Sequence, residues 1–133
     1  YSVAMFYEGL PKGKYECYLR EDTKIPMMYV NDAVKATLMI MDADESKIKI
    51  RTSYNISALS FSAKELEEEI KKHIPLVVTY KPDERQKIAD SWPNSLDDKE
   101  ARSDWGWKPD FELSQLVSEM VKNLKAHPDL WKD

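Results

Sequence analysis

One segment leaves little freedom in how it folds: SFSAKELEEEIKKHIP, residues 60–75. Ser62 and Glu65 stand at N-cap and N3 spacing, so each side chain can satisfy the other's backbone N–H in a capping box. Phe61 and Leu66, at N′ and N4, fit a hydrophobic staple. Acids fill the first half and Lys71, Lys72 and His73 the second, the order a helix dipole favours. Pro75 cannot continue the helix. The run LVVTY that follows, residues 76–80, reads as a strand.

Elsewhere the periods are weaker but alternate in the same way. Val3, Phe6, Tyr7 and Leu10 fall at i, i+3, i+4 and i+7 and predict an opening helix, which Lys12 and Gly13 break. That face has no earlier element to pack on. The chain starts at Tyr1 without methionine or targeting segment, so the expectation is a piece of a longer protein. KYECYL, residues 14–19, alternates as a strand with Tyr15, Cys17 and Leu19 on one face. REDTKIP reads as a charged turn and MMYV as a short strand. Asn31 or Asp32 then caps a helix through Val34, Leu38 and Met41. Residues 54–56, within KIKIRTSYNIS, read as a strand core. Asp97 is placed to cap a short helix near 99–104, with Glu100 at N3. Leu113, Leu116, Val117, Met120, Val121 and Leu124 share one broad face of a last helix, and the tail beyond Ala126 is expected to fray. Short strands alternating with helices predict one α/β unit, residues 1–133, without repeats or a flexible linker.

Several functions are disfavoured by composition. A net charge of −4 and a pI near 5.3 argue against a broad basic surface and so against nucleic acid as a partner. No apolar run approaches the ~20 residues a membrane span requires. The single cysteine, Cys17, cannot close an internal disulfide and fits a reducing compartment; it reads as a strand-packing residue. The sequon Asn55-Ile56-Ser57 has no companion sign of secretion and is read as chance. The three glycines, Gly9, Gly13 and Gly106, are too dispersed for a dinucleotide fingerprint or a P-loop. No tyrosine has a lysine four residues on. His73, His127 and Cys17 lack metal-ligand spacing, so no metal site is expected, and His73 reads as a helix C-terminal cation. Asp97 and Asp98 read as helix caps rather than paired catalytic acids, Met27 and Met28 as core fillers, and the charges of residues 64–72 as a solvated helix face. No Ser-His-Asp signature is present, and no residue of the chain is assigned a catalytic role.

The stretch IADSWP, residues 88–93, is harder to absorb. Trp92 lies in a polar segment between Arg85 and a run of acids. Arginine presents a rigid fork suited to carboxylate or phosphate, and a residue before proline is biased to extended backbone. An extended loop carrying these groups is a plausible pocket wall. An Arg85–Asp90 ion pair beside a core tryptophan fits the same residues.

Four segments, in this order, carry a family resemblance: PMMYVNDAVKAT, YNISALSFSAKELEEEIKKHIP, YKPDERQKIADSWPNSLDD and ARSDWGWKPDFELSQLVSEM. Together they resemble the C-terminal part of the short-chain-type L-threonine 3-dehydrogenases, in the extended short-chain dehydrogenase/reductase group of NAD-dependent epimerases and dehydratases. The likeness runs from residue 1 to about residue 122. GW-x-P and D-x-x-x-A are shared with sugar-nucleotide epimerases, whereas RQKIADSWP is more specific to the threonine enzymes.

The resemblance implies a fold, a cofactor and a substrate. The fold would be the substrate-side portion of an extended short-chain dehydrogenase, its Rossmann core missing. NAD would be bound by an N-terminal Rossmann domain, which also holds the catalytic tyrosine and lysine, all ahead of Tyr1. The family oxidises L-threonine to 2-amino-3-ketobutyrate and passes hydride to NAD, with the tyrosine as general base. The C-terminal part covers the substrate. Trp92 then lines the substrate pocket, and Tyr1 matches the last residue of a Gly-Thr-Thr-Asp-Tyr substrate stretch. Arg85 matches a position where epimerases hold a nucleotide phosphate, and here either contacts substrate or anchors the loop through Asp90. Residues 54–56 resemble the strand returning to the Rossmann sheet, and Asp32 takes a capping role. A homodimer is implied for the whole enzyme, in the cytoplasm or, in a eukaryote, the mitochondrion. The 133 residues alone are expected to be inactive, with exposed sheet edges and a tendency to self-associate. The alternatives are the C-terminal lobe of a sugar-nucleotide epimerase or dehydratase, and a stand-alone α/β interaction module.

Overall fold

The capping box closes as its spacing requires. In the computed structural model, which describes residues 1–131, Ser62 Oγ accepts from the Glu65 N–H at 3.1 Å and Glu65 Oε2 accepts from the Ser62 N–H at 2.6 Å. Helix α3, Ala63–Lys71, starts there and buries Ala63, Leu66 and Ile70. Phe61 is buried beside it. Removing Leu66 and Ile70 from water stabilises the fold by about 1.5–3 kcal/mol each. Against this face pack α1, Ser2–Lys12, and α6, Leu113–Ala126, the latter burying Leu116, Val117, Val121 and Leu124. Both helices were legible as periods, and α1 stops at Gly13, whose φ of 63° makes the left-handed C-cap that glycine accepts most readily.

Among the described residues, four short strands complete this α/β architecture. Strand β1, Lys14–Cys17, pairs in parallel with β4, Val77–Tyr80, while β2, Lys24–Met27, pairs antiparallel with β3, Leu59–Ser62. Tyr15 and Cys17 of β1 face the core, as their alternation predicts. Because β1 and β4 are parallel, their chains leave at the same end of the ladder. The Lys81 N–H reaches Cys17 O at 2.8 Å and the Asp83 N–H reaches Tyr18 O at 3.2 Å. Residues after the two strands are thus held side by side. The carboxyl end of a parallel sheet is where such folds place ligands.

Several expectations are corrected. The second strand is KIPM rather than MMYV. Pro26 fits because a two-stranded ladder leaves its missing N–H on an edge, and Tyr29 already stands at the N-cap of α2, Val30–Asp42. Neither Asn31 nor Asp32 caps that helix. Asp32 is buried and accepts the N–H groups of Asp110 at 2.9 Å and Phe111 at 3.2 Å, pinning α2 to a distant loop. Val34, Leu38 and Met41 of α2, like Val3 and Tyr7 of α1, are exposed rather than packed.

Residues 54–56 form no strand, since no neighbour among the described residues offers them a ladder. Tyr54 turns inward instead: its hydroxyl accepts from the N–H groups of Lys49 and Ile50 and donates to Asp104 at 2.8 Å. It joins a second cluster around Ala36, Ala101, Trp105 and Trp107. Asp97 accepts from the Lys99 N–H at 3.1 Å, but Asp98 is the N-cap of α5, Lys99–Trp105, and no box with Glu100 forms. Asp98 is buried, receiving Trp107 Nε1–H at 3.1 Å, the Ser57 N–H at 3.2 Å and Arg102 Nε–H at 2.7 Å. The tail does not simply fray. Pro128–Leu130 make a turn of 3-10 helix, and Trp131 Nε1–H donates to Leu124 O at 2.6 Å.

Candidate functional site

Beyond β4 the chain does not run as a loop through IADSWP. It forms α4, Arg85–Asp90, and the Trp92 N–H continues the last turn by donating to Ala89 O at 3.1 Å. Gln86 and Ala89 face inward and are buried, whereas Ile88 and Trp92 are exposed, Trp92 by 56%. Trp92 is therefore not a core plug. That duty falls to Trp105 and Trp107, both buried.

Trp92 borders a cavity of about 320 Å³, and the three residues singled out from the sequence converge on it: Tyr1, Arg85 and Trp92. Ile25 and Met27 of β2 form an apolar side, and Tyr18, just past β1, adds a second phenol. A mostly apolar concavity with a few polar groups is the usual composition of a small-molecule site. Tyr18 was missed by the sequence reading. Its signal was the strand alternation itself, which turns it away from the core that takes Cys17 and Leu19.

Arg85 is held differently from the expected pairing with Asp90. Its Nε and Nη2 donate to the Asp83 carboxylate at 2.5–3.0 Å, and its guanidinium carbon lies 3.5 Å from the Tyr18 ring centroid. The hydrogen bonds from Arg85 hold the Asp83 carboxyl below the usual carboxylate range and raise Arg85 in turn, so the pair is fully charged at neutral pH. Asp90 instead receives the Arg20 guanidinium at 2.7 and 3.2 Å. Ionic pairing with a residue 70 positions away leaves no local mark in the sequence. Tyr1 contributes a phenol whose oxygen is buried and has no hydrogen-bond partner among the described residues. Burial pushes that phenol well above its ordinary value, so it stays protonated and is unsuited to act as a general base near neutral pH.

The residues present do not make a cradle for a dinucleotide. Such a cradle needs glycines that open a helix so that backbone N–H groups can face a pyrophosphate. Gly13 and Gly106 instead close helices at φ 63° and 77°, and a Cβ on Gly9 would lie 2.9 Å from Leu76 Cδ1, so that glycine serves helix packing. Among the described residues no group of three His, Cys, Asp or Glu side chains is arranged to hold a metal. No helix among them is long and apolar enough to cross a membrane.

No family model matches the chain. Individual proteins do. The mitochondrial L-threonine 3-dehydrogenase of Bos taurus is 51% identical over 123 residues, 91% of this chain and 33% of that protein. An uncharacterised epimerase/dehydratase of Staphylococcus haemolyticus is 39% identical over 127 residues, 94% of this chain and 40% of its own length. The crystal structure of L-threonine dehydrogenase from Phytophthora infestans superposes with a TM-score of 0.90 at 45% identity, covering 94% of this chain and 41% of that one. The chain thus spans between a third and two-fifths of the length of these relatives. In sequence and in fold it matches the C-terminal part of the L-threonine 3-dehydrogenases, a group whose kinship with epimerase/dehydratase proteins the staphylococcal relative displays.

Proposed function

We propose that residues 1–133 form the C-terminal, substrate-binding portion of an NAD-dependent L-threonine 3-dehydrogenase, and that the cavity bounded by Tyr1, Arg85 and Trp92 is the L-threonine side of its active site. The observation that carries this reading is the convergence of those three residues on one cavity at the carboxyl end of the β1–β4 ladder. The longer protein would bind NAD in an N-terminal Rossmann domain and supply the catalytic tyrosine and lysine from there. NAD accepts the hydride when L-threonine is oxidised to 2-amino-3-ketobutyrate.

This chain's own part is to bind and to shield. Trp92 and Ile25 give the cavity apolar walls, and once the rest of the longer protein covers it these walls would keep water from the substrate and strengthen the charge interactions inside. Arg85 is the cation bordering it; two of its nitrogens are committed to Asp83, leaving Nη1 for a carboxylate such as that of an amino acid. The 133 residues alone are expected to be inactive and to self-associate, the whole enzyme to be a homodimer. A reducing compartment, the cytoplasm or in a eukaryote the mitochondrion, suits the buried free thiol of Cys17.

The test uses the full-length protein. It should reduce NAD with L-threonine and not convert UDP-sugars; UDP-sugar conversion without threonine oxidation would replace this reading with a sugar-nucleotide epimerase. Trp92→Ala should lower kcat/KM for L-threonine by about 100-fold and leave NAD affinity unchanged. An equal loss of NAD affinity would make Trp92 a structural residue.

A further inference from the structure

The residues of RQKIADSWP that do not border the cavity have a structure of their own. We propose that Gln86, with Arg20 and Asp90, is a positioning clamp that sets where α4 holds the Arg85–Trp92 wall, without touching substrate; this rests on the reading of the cavity given above.

A helix of six residues is far too short to hold its place alone; its N-cap Glu84 makes no side-chain cap, and the bond from the Arg85 N–H to Asp83 Oδ1 at 2.9 Å stays within the same segment. Its location must come from tertiary bonds. Gln86 makes them: Oε1 accepts the Arg20 N–H at 2.7 Å and lies 3.2 Å from Thr23 Oγ1, while Nε2 donates to Asp90 Oδ1 at 2.7 Å and lies 3.1 Å from Thr23 Oγ1. Gln86 and Thr23 are both buried. A sliding apolar contact tolerates several positions of a helix. A buried amide with all its partners met tolerates one, because any shift strands a donor or an acceptor away from water. One turn on, Asp90 takes both ends of the Arg20 fork, the geometry that adds direction to an ion pair.

The opposite side of α4 carries Arg85 and Ile88 to the cavity and leads into Trp92. Trp92 is more than half exposed, so core packing does not place it. Its position follows from what precedes and follows it: α4 in the clamp, and the Asn94 carbonyl, which accepts from Ser60 Oγ of β3. Both partners of the Arg20–Asp90 pair are about half exposed, and exposed pairs contribute little to stability. The pair can therefore be broken without unfolding the protein, which separates positioning from stability.

In the full-length enzyme, Arg20→Ala and Asp90→Ala should each raise KM for L-threonine by about 10-fold, the scale of a small displacement of a binding wall. KM for NAD should stay at the wild-type value in both, and so should the thermal midpoint of Arg20→Ala, whereas Asp90→Ala, which also takes the acceptor from Gln86 Nε2, lowers the midpoint slightly. Arg20→Lys, which keeps the charge and loses the fork, should fall between the two. A lowered thermal midpoint with an unchanged KM for L-threonine would make the clamp merely structural and overturn the proposal. So would wild-type kinetics in both alanine variants while Trp92→Ala is impaired. If Trp92→Ala itself leaves threonine kinetics unchanged, the substrate reading of the cavity falls and the clamp's role falls with it.

Discussion

Helices α6 and α2 present the same kind of apolar stripe and meet opposite fates. In α6, Leu116, Val117, Val121 and Leu124 are buried against the core shared with α3. In α2, Val30, Val34, Leu38 and Met41 follow helical spacing too, yet they are 54–73% exposed, and only Asp32 and Ala36 are buried. A hydrophobic period says that a helix has a face to cover; it does not say that the cover lies in the same 133 residues. What holds α2 is its other side: Ala36, Met39 and Ile40 pack on the Trp105–Trp107 cluster, and polar bonds add direction. Asp32 accepts from two backbone N–H groups of the 110–111 loop, and Lys35 Nζ donates to Lys108 O at 2.8 Å and Asp110 Oδ1 at 2.5 Å. One helix is fastened by its stripe, the other by its opposite side.

That contrast can be broken most forcefully at Val117, which is fully buried. Val117→Asp places an unpaired charge in the core and should cost about 4 kcal/mol or more in urea unfolding; a loss below half of that would mean the α6 seam is loose. On α2, the polar fastening predicts that Asp32→Ala strands two partly buried N–H groups and costs about 2–3 kcal/mol in the same measurement. A near-neutral result would mean that the two N–H groups find other partners and that Asp32 does not fasten α2.

Glu67 on α3 sharpens the picture through pH. Burial works to raise its carboxyl, but hydrogen bonds from Lys71, Tyr80 and Lys64 more than offset this and hold it below its ordinary value of 4.5. A depressed folded-state value gives stability that is complete above the unfolded value and is lost as pH falls through the folded one. Stability of the wild-type chain should therefore fall more steeply than that of Glu67→Gln between about pH 5 and pH 3. Equal slopes would remove Glu67 from the acid response. The smallest expected effect is at Leu38 on the exposed stripe. Leu38→Asp should change stability by no more than about 0.5 kcal/mol and should reduce the concentration dependence of sedimentation. A loss as large as that of Val117→Asp would show that the α2 face is covered in solution.

Sequence spacing made much of this molecule legible, for stated reasons. Ser62 and Glu65 define the start of α3 because a capping box is a contact between residues three apart. Alternation put Tyr15 and Cys17 inward, and the period of α6 named its buried face, because side-chain direction repeats with the backbone. The family resemblance pointed to Trp92, Arg85 and Tyr1, which do border one cavity. By contrast, nothing local separated Trp92 from Trp105 and Trp107, and only the packed structure shows that the first is exposed and the others buried.

The sequence by itself therefore determined the elements whose physics is short-range: caps, periods, and the glycine that ends α1. Only the tertiary structure decided the partners. Asp90 pairs with Arg20 rather than Arg85, Asp32 reaches the 110–111 loop rather than its own helix end, and residues 54–56 lie unpaired beside a tryptophan cluster. These bonds join residues 70 to 79 positions apart, or depend on whether a neighbouring strand is present. Spacing along the chain carries no information about such pairings; the path of the folded backbone sets them.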